Sequence, residues 1–268
     1  MKKILLSVGS IIFVLAILGG GTGAFFADNN TSTGNTFATG VIDLFVDNES
    51  YITDPSGNLI FSPQTSWSLS TLAGKLFFNF KDVKPGDIGE DTISLHVKSN
   101  DAWACMSVKL TGTPENGQSD PEYLVDTTRG STSGELQNEL NFAFWNDDGD
   151  NVFESGENIF KKGLVKDIFK GDKWPLADSR TNIWGGQGPI PADTVKYIGK
   201  AWCFGKLTSA PLPQDDKGKT GDNGPLVRGT GFKCEGDAVN NKTQTDGITA
   251  DVSFTVAQSR NNSAFKCK

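Results

Sequence analysis

Between positions 146 and 157 the chain reads Asn146-Asp147-Asp148-Gly149-Asp150-Asn151-Val152-Phe153-Glu154-Ser155-Gly156-Glu157, a run dense in oxygen-bearing side chains. In the register of a twelve-residue calcium loop, Asn146, Asp148 and Asp150 take positions 1, 3 and 5. The Val152 carbonyl takes position 7, Glu154 position 9 and Glu157 position 12. Hard oxygen donors spaced in this way can wrap one Ca²⁺, with the last Glu closing the site through both oxygens. Asn151 stands where such loops usually carry Gly, and Asn enters the left-handed region more readily than most residues. No flanking helices are evident, so the expectation is an isolated loop with a structural Ca²⁺; the alternative is a solvated acidic turn.

The other reactive side chains are few. Four cysteines, Cys105, Cys203, Cys234 and Cys267, lack the CxxC spacing of zinc or redox sites. Two disulfides fit an exported chain and leave three connectivities open. The expected one is Cys203 with Cys234 and Cys105 with Cys267, the second tying the C-terminal end to an early strand. The single histidine, His96, lies between Leu95 and Val97, so alternation points it to the face opposite those two. A catalytic zinc commonly takes two or three histidines, and HExxH, GxSxG, P-loop and dinucleotide motifs are all missing. Hence no catalytic residues are expected. Most of the six tryptophans, including Trp103 and Trp202 beside cysteines, suit a sandwich core, although they could also form a sugar-binding platform. Sequons begin at Asn29, Asn30, Asn48, Asn241 and Asn261.

The N-terminus carries a different message. Lys2 and Lys3, the apolar run Ile4 to Leu18 and the small residues Thr22, Gly23 and Ala24 follow the order of a secretory signal peptide. Cleavage between Ala24 and Phe25 is expected, which makes residues 1–24 the signal and the mature protein secreted. Loss of Lys2 and Lys3 moves the net charge from −7 to −9, with both signs interspersed. Nucleic acid is therefore not an expected partner, because phosphate neutralisation needs clustered Lys and Arg.

The elements that must position these groups read as strands. Ile42, Leu44 and Val46, then Leu76, Phe78 and Phe80, then Ile93, Leu95 and Val97, Val195 and Tyr197, and finally Val252, Phe254 and Val256 alternate between Gly, Pro, Asn and Asp clusters. This predicts an all-β antiparallel sandwich over 41–268. Between about 112 and 191 the composition shifts to Gly, Asp, Asn and Ser. That stretch reads as a loop-rich insertion carrying short helices, one near Leu136 to Phe144.

Residues Gly20 to Asp28, then Thr31 to Gly40 with Ile42-Asp43-Leu44, resemble the signal-peptide junction and first strand of the TasA/camelysin proteins. Val83-Lys84-Pro85-Gly86-Asp87 ahead of Ile93 resembles that family's turn between strands, Pro presetting φ and Gly accepting positive φ. The resemblance implies a jelly-roll β-sandwich, export through a dedicated signal peptidase, and a homopolymer at the cell surface or in a biofilm matrix. It also implies that residues 25–40 form a donor strand, with Phe25, Phe26 and Phe37 as its anchors. An assembly or anchoring accessory protein is a further expected partner. The alternatives are a monomeric adhesin or carbohydrate-binding module and a camelysin-like metallopeptidase.

Overall fold

A computed structural model describes residues 27–31, 44–128 and 133–268. In chain order the strands are β1 (Ala27–Thr31), β2 (Leu44–Thr53), β3 (Leu59–Phe61), β4 (Trp67–Ser70), β5 (Ile88–Val97), β6 (Ala102–Gly112) and β7 (Leu140–Asp147). They continue as β8 (Ile159–Leu164), β9 (Lys170–Ala177), β10 (Thr194–Phe204), β11 (Lys206–Ser209), β12 (Phe232–Glu235) and β13 (Thr249–Gln258). One sheet has the order β1-β13-β6-β9; the larger one has the order β3-β2-β5-β10-β7-β8, with β4 also on β2. All pairings between these strands are antiparallel.

The two sheets close on each other through aromatic side chains. Phe77 meets Phe254 with ring centroids 6.2 Å apart, and Phe144 on β7 meets Trp174 on β9 at 5.1 Å. Ile93, Leu95 and Val97 on β5 and Phe254 and Val256 on β13 are fully buried, as their alternation predicts. Four of the six tryptophans, Trp103, Trp145, Trp174 and Trp202, are buried.

The larger sheet is covered on its outer face as well. Ala143, Trp145, Ala201 and Cys203 point outward there and pack against Phe153, Leu207 and Phe232. The last two belong to the β11–β12 hairpin, which the Cys203–Cys234 disulfide pins to β10. Cys105 on β6 pairs with Cys267, fixing the C-terminal segment against the smaller sheet. Of the three connectivities open to the sequence, the structure holds the expected one.

Three expectations are corrected. Leu76, Phe78 and Phe80 do not form a strand. Buried Lys200 donates to the Phe77 carbonyl at 2.7 Å and pairs with Asp91 Oδ2 at 3.0 Å, so this segment is held by a side chain from the sheet below it. Phe77, between the expected inward positions, is the buried residue, and Leu76 is exposed. The helix expected near Leu136 to Phe144 is a 3₁₀ turn at Leu136–Asn138 followed by β7, because Phe142 and Phe144 alternate into the core. Residues 112–191 are not an added insertion either: they supply β7 and β8 to one sheet and β9 to the other. Polar turns between short strands produced the composition that suggested an insertion.

Candidate functional site

Two features could act on partners or ions. The first is the free edge of the smaller sheet. The N-terminal strand β1 lies there, antiparallel to β13, with Ala27 opposite Ala257, Asn29 opposite Thr255 and Thr31 opposite Ser253. Its five residues are followed by residues 32–43 and then by β2, which belongs to the other sheet. The cleavage site Ala24–Phe25 and the expected anchors Phe25, Phe26 and Phe37 lie outside the described residues.

The second feature is the acidic connection between β7 and β8. The indole of Trp145 is its foundation. Gly199 stands opposite Trp145 on β10, and a Cβ there would fall 2.0 Å from the ring, so only glycine lets the indole lie on the strand. Trp145 Nε1 then donates to Asp147 Oδ1 at 3.1 Å, and Thr92 Oγ1 donates to Asp147 Oδ2 at 3.2 Å. Beyond Asp147 the chain turns sharply, with Asn151 in the left-handed region at φ 63°.

The loop brings its carboxylates together in two overlapping groups. Asp147, Asp148 and Glu157 form one, and Asp148, Asp150 and Glu154 the other, with ligand oxygens in each within 4.8 Å of one another. The expected single ring of ligands is divided. Asn146 Oδ1 accepts from the Asn158 N–H at 2.6 Å, closing the hairpin on the far side, while Asp147 takes its place among the carboxylates. Arg228 enters the second group, with Nη1 2.8 Å from Asp150 Oδ2 and in contact with Glu154, and Nη2 donates to the Pro213 carbonyl at 2.7 Å. Among the expected ligands this leaves Asp148 and Glu157, with Asp147, as the group without a bound arginine. The Val152 N–H donates to Asp150 Oδ1 at 2.9 Å.

Electrostatics in this loop favour neutral acids or an added cation. Burial, reinforced by Asp150 and Asp148, pushes the Asp147 carboxyl up to about 8. Burial and then Asp147 push Glu157 up to about 9. Asp150 rises to about 7 through burial and Asp148, with Arg228 acting against the rise. Glu90 on β5, fully buried with no hydrogen-bond partner at either oxygen, is raised by burial and by Asp147. Arg228 and Glu90 escaped the sequence reading because each lies tens of residues from the loop.

His96 lies on the outer face of β5, where Nε2 meets Asp47 Oδ2 on β2 at 2.7 Å. Asn48, a sequon residue, is buried and donates to Asp91 Oδ2 at 2.8 Å, which leaves its amide no room for a glycan.

Residues 1–56 match the family model described as camelysin metallo-endopeptidase. Within the described residues that stretch contains β1 and all of β2, an edge strand of the smaller sheet and the first strand of the larger one. This N-terminal segment is thus similar to the TasA/camelysin proteins, as its residues predict. No curated protein matches the chain.

Proposed function

We propose that this chain is a secreted structural subunit that polymerises into extracellular fibres by exchanging its N-terminal strand with a neighbouring copy. The observation that carries this reading is the position of β1. It is a short strand near the N-terminus, it occupies a sheet edge, and among the described residues its one strand partner is β13.

An edge strand presents a row of backbone N–H and C=O groups that any extended segment can complete. The bonds that β1 makes in its own subunit are the bonds it would make on the β13 of another, so exchange changes little enthalpy per contact. Residues 32–43 would span about 40 Å if fully extended at roughly 3.3 Å per residue, enough to reach an adjacent molecule. Because donor and acceptor surfaces differ, each copy can give one strand and receive one. Such head-to-tail contacts build open filaments when the rotation does not close. Signal-peptide removal by its dedicated peptidase would free the donor and so gate assembly.

The reading assigns no catalysis, despite the peptidase in the family's name. One histidine, already bonded to Asp47, is a poor start for a zinc site that commonly needs two or three plus water. Ca²⁺ taken up by Asp147, Asp148 and Glu157 would brace the β7–β8 turn and act structurally. In a surface polymer, the disulfides and such an ion would stiffen each subunit.

The test is negative-stain electron microscopy of protein beginning at Phe25 beside a variant lacking residues 25–37. Filaments from the first alone support strand exchange. Cysteines placed at Asn29 and Thr255, opposite each other in the β1–β13 register, sharpen it. Under oxidation, fibres should give a ladder of covalent multimers. Single chains only, from a sample that contains filaments, would mean that β1 stays at home and that another contact builds the fibre. Dispersed monomers that bind a glycan array would move the assignment to an adhesin.

A further inference from the structure

A second cluster of acids lies far from the β7–β8 loop, beside the entry to β13. Glu115 lies within 4.8 Å of Glu122 and Asp246 on one side and of Asp126 and Glu135 on the other, measured between carboxylate oxygens. Glu115, Glu122, Asp126 and Glu135 are at most 9% exposed. Glu115 itself is 7% exposed, and neither of its oxygens has a hydrogen-bond partner among the described residues. Glu135 Oε2 and Asp246 Oδ1 are also buried without partners.

The remaining oxygens are oriented by neighbours, as ligands in a built site are. Glu122 accepts from Ser119 N at 3.1 Å and from Thr245 Oγ1 at 2.8 Å. Asp126 Oδ1 accepts from the Thr128 N–H and hydroxyl at 3.0 and 2.8 Å. Asp246 Oδ2 accepts from the Glu135 N–H. Asp246 comes so close to the backbone at Gly134 that a Cβ there would fall 2.1 Å from Oδ1, so only glycine admits it.

Burying an isolated carboxylate is expensive unless a cation or hydrogen bond compensates it. Among the described residues, the neighbouring charges that bear most on Glu115 are Asp246, Glu122, Asp126 and Glu135, all of the same sign. We propose that Glu115 is the central ligand of a second Ca²⁺ site, completed by Glu122 and Asp246 from one side and Asp126 and Glu135 from the other. The chemistry selects the ion. Ca²⁺ takes six to eight oxygens at about 2.4 Å, so ligand atoms on one shell are at most about 5 Å apart, in line with this cluster. Mg²⁺ prefers a tight octahedron that keeps its waters, and Zn²⁺ prefers nitrogen and sulfur.

Such an ion would join three parts of the chain: the helical turn Asp120–Tyr123 with its flanks, Glu135 ahead of β7, and Asp246 three residues before β13 begins. It would therefore fix the start of the strand that β1 pairs with. This assignment does not rest on the fibre reading.

The test begins with a mature chain whose first loop is silenced by Asp148→Asn and Glu157→Gln. Calorimetric titration of chelator-treated protein with CaCl₂ should still show a binding event in the range of extracellular modules, about 10⁻⁴–10⁻³ M or tighter. Adding Glu115→Gln should weaken it at least about tenfold, as loss of a central charged ligand does. Asp246→Asn should weaken it as well. Folding of each variant is checked by circular dichroism and by a melting temperature in chelator at or above that of its parent. No calcium heat from the parent, or unchanged affinity in both variants, would overturn the site. Arg129 lies outside the described residues and follows Asp126 by three positions in the sequence, so it is tested as a counter-charge. If Arg129→Gln lowers the melting temperature in chelator while the parent binds no calcium, the cluster is neutralised from within and the proposal fails.

Discussion

The two carboxylate clusters solve the same electrostatic problem in different ways. At the β7–β8 turn the acids lie within one short run of chain, and Arg228 supplies a positive charge from inside the protein, 2.8 Å from Asp150. Around Glu115 the acids come from positions 115 to 246, and among the described residues the charges bearing most on the central one are all negative. An internal cation makes a cluster part of the fold, whereas carboxylates that face only like charges among the described residues leave room for an added ion.

The largest effect should follow from removing the internal cation. Arg228→Ala leaves Asp150 and Glu154 facing each other without a counter-charge, and breaking a mostly buried pair costs roughly 3–5 kcal/mol. Urea denaturation should show this as a lower midpoint at an unchanged slope. Arg228→Lys should restore only part, since one ammonium cannot reach Asp150, Glu154, Asp215 and the Pro213 carbonyl together. A loss under about 1 kcal/mol would mean that the loop keeps itself neutral by protonation, and the contrast with Glu115 would collapse.

Neutralising single acids should then move the two clusters in opposite directions. Asp150→Asn removes a charge-assisted bond to Arg228 and should cost about 1–2 kcal/mol. Glu115→Gln, measured in chelator, removes an uncompensated buried charge and should stabilise by about 1 kcal/mol. Paired denaturation curves check both signs. Losses of equal size at the two positions would show that Glu115 has a counter-charge after all.

How much of this was readable beforehand depends on sequence distance. Ile93, Leu95 and Val97, and likewise Val252, Phe254 and Val256, announced β5 and β13 because a strand writes its burial into neighbouring residues. The acidic turn was visible for the same reason, since its carboxylates fall within twelve residues. Arg228 was not, because the helical turn Pro225–Arg228 reaches the loop only through the fold. The misread segment at Leu76 to Phe80 failed likewise: Lys200, on β10, decides which residue turns inward. The Glu115 cluster draws on residues too scattered to form any local pattern. Sequence reading recovers chemistry laid out along the chain and loses chemistry assembled across it.

Acidity offers a gentler separation of the two clusters. A carboxyl group whose folded pKa is raised stabilises the protein below its ordinary pKa, and that contribution is lost as pH rises through the folded value. In chelator, stability should therefore fall from about pH 4 upwards, where unfolded carboxyl groups ionise. The Glu115 cluster should complete its loss near the values of Asp246, about 6, and Glu115, about 7; burial comes first in both, and neighbouring acids follow. The loop should continue to lose stability up to about 8 for Asp147 and about 9 for Glu157. Melting temperatures across pH 4 to 10 should show both stages, and Glu115→Gln should shrink the earlier one, where Asp246 and the loop's Asp150 also titrate, while leaving the later one unchanged. Saturating calcium should flatten the earlier stage, because the ion binds the ionised form.

The smallest change tests whether the loop turn itself is a ligand cradle. Asn151 sits at φ 63°, and both of its side-chain amide atoms are buried without partners. Glycine accepts that backbone freely and removes the unsatisfied amide, which offsets its greater freedom in the unfolded chain. Asn151→Gly should therefore raise stability in chelator by up to about 1 kcal/mol. If it lowers stability by that amount only when calcium is present, the amide oxygen is coordinating the ion. The β7–β8 loop would then bind through Asn151 as well as through Asp147, Asp148 and Glu157, and Arg228 would be a brace beside an ion and not a substitute for one.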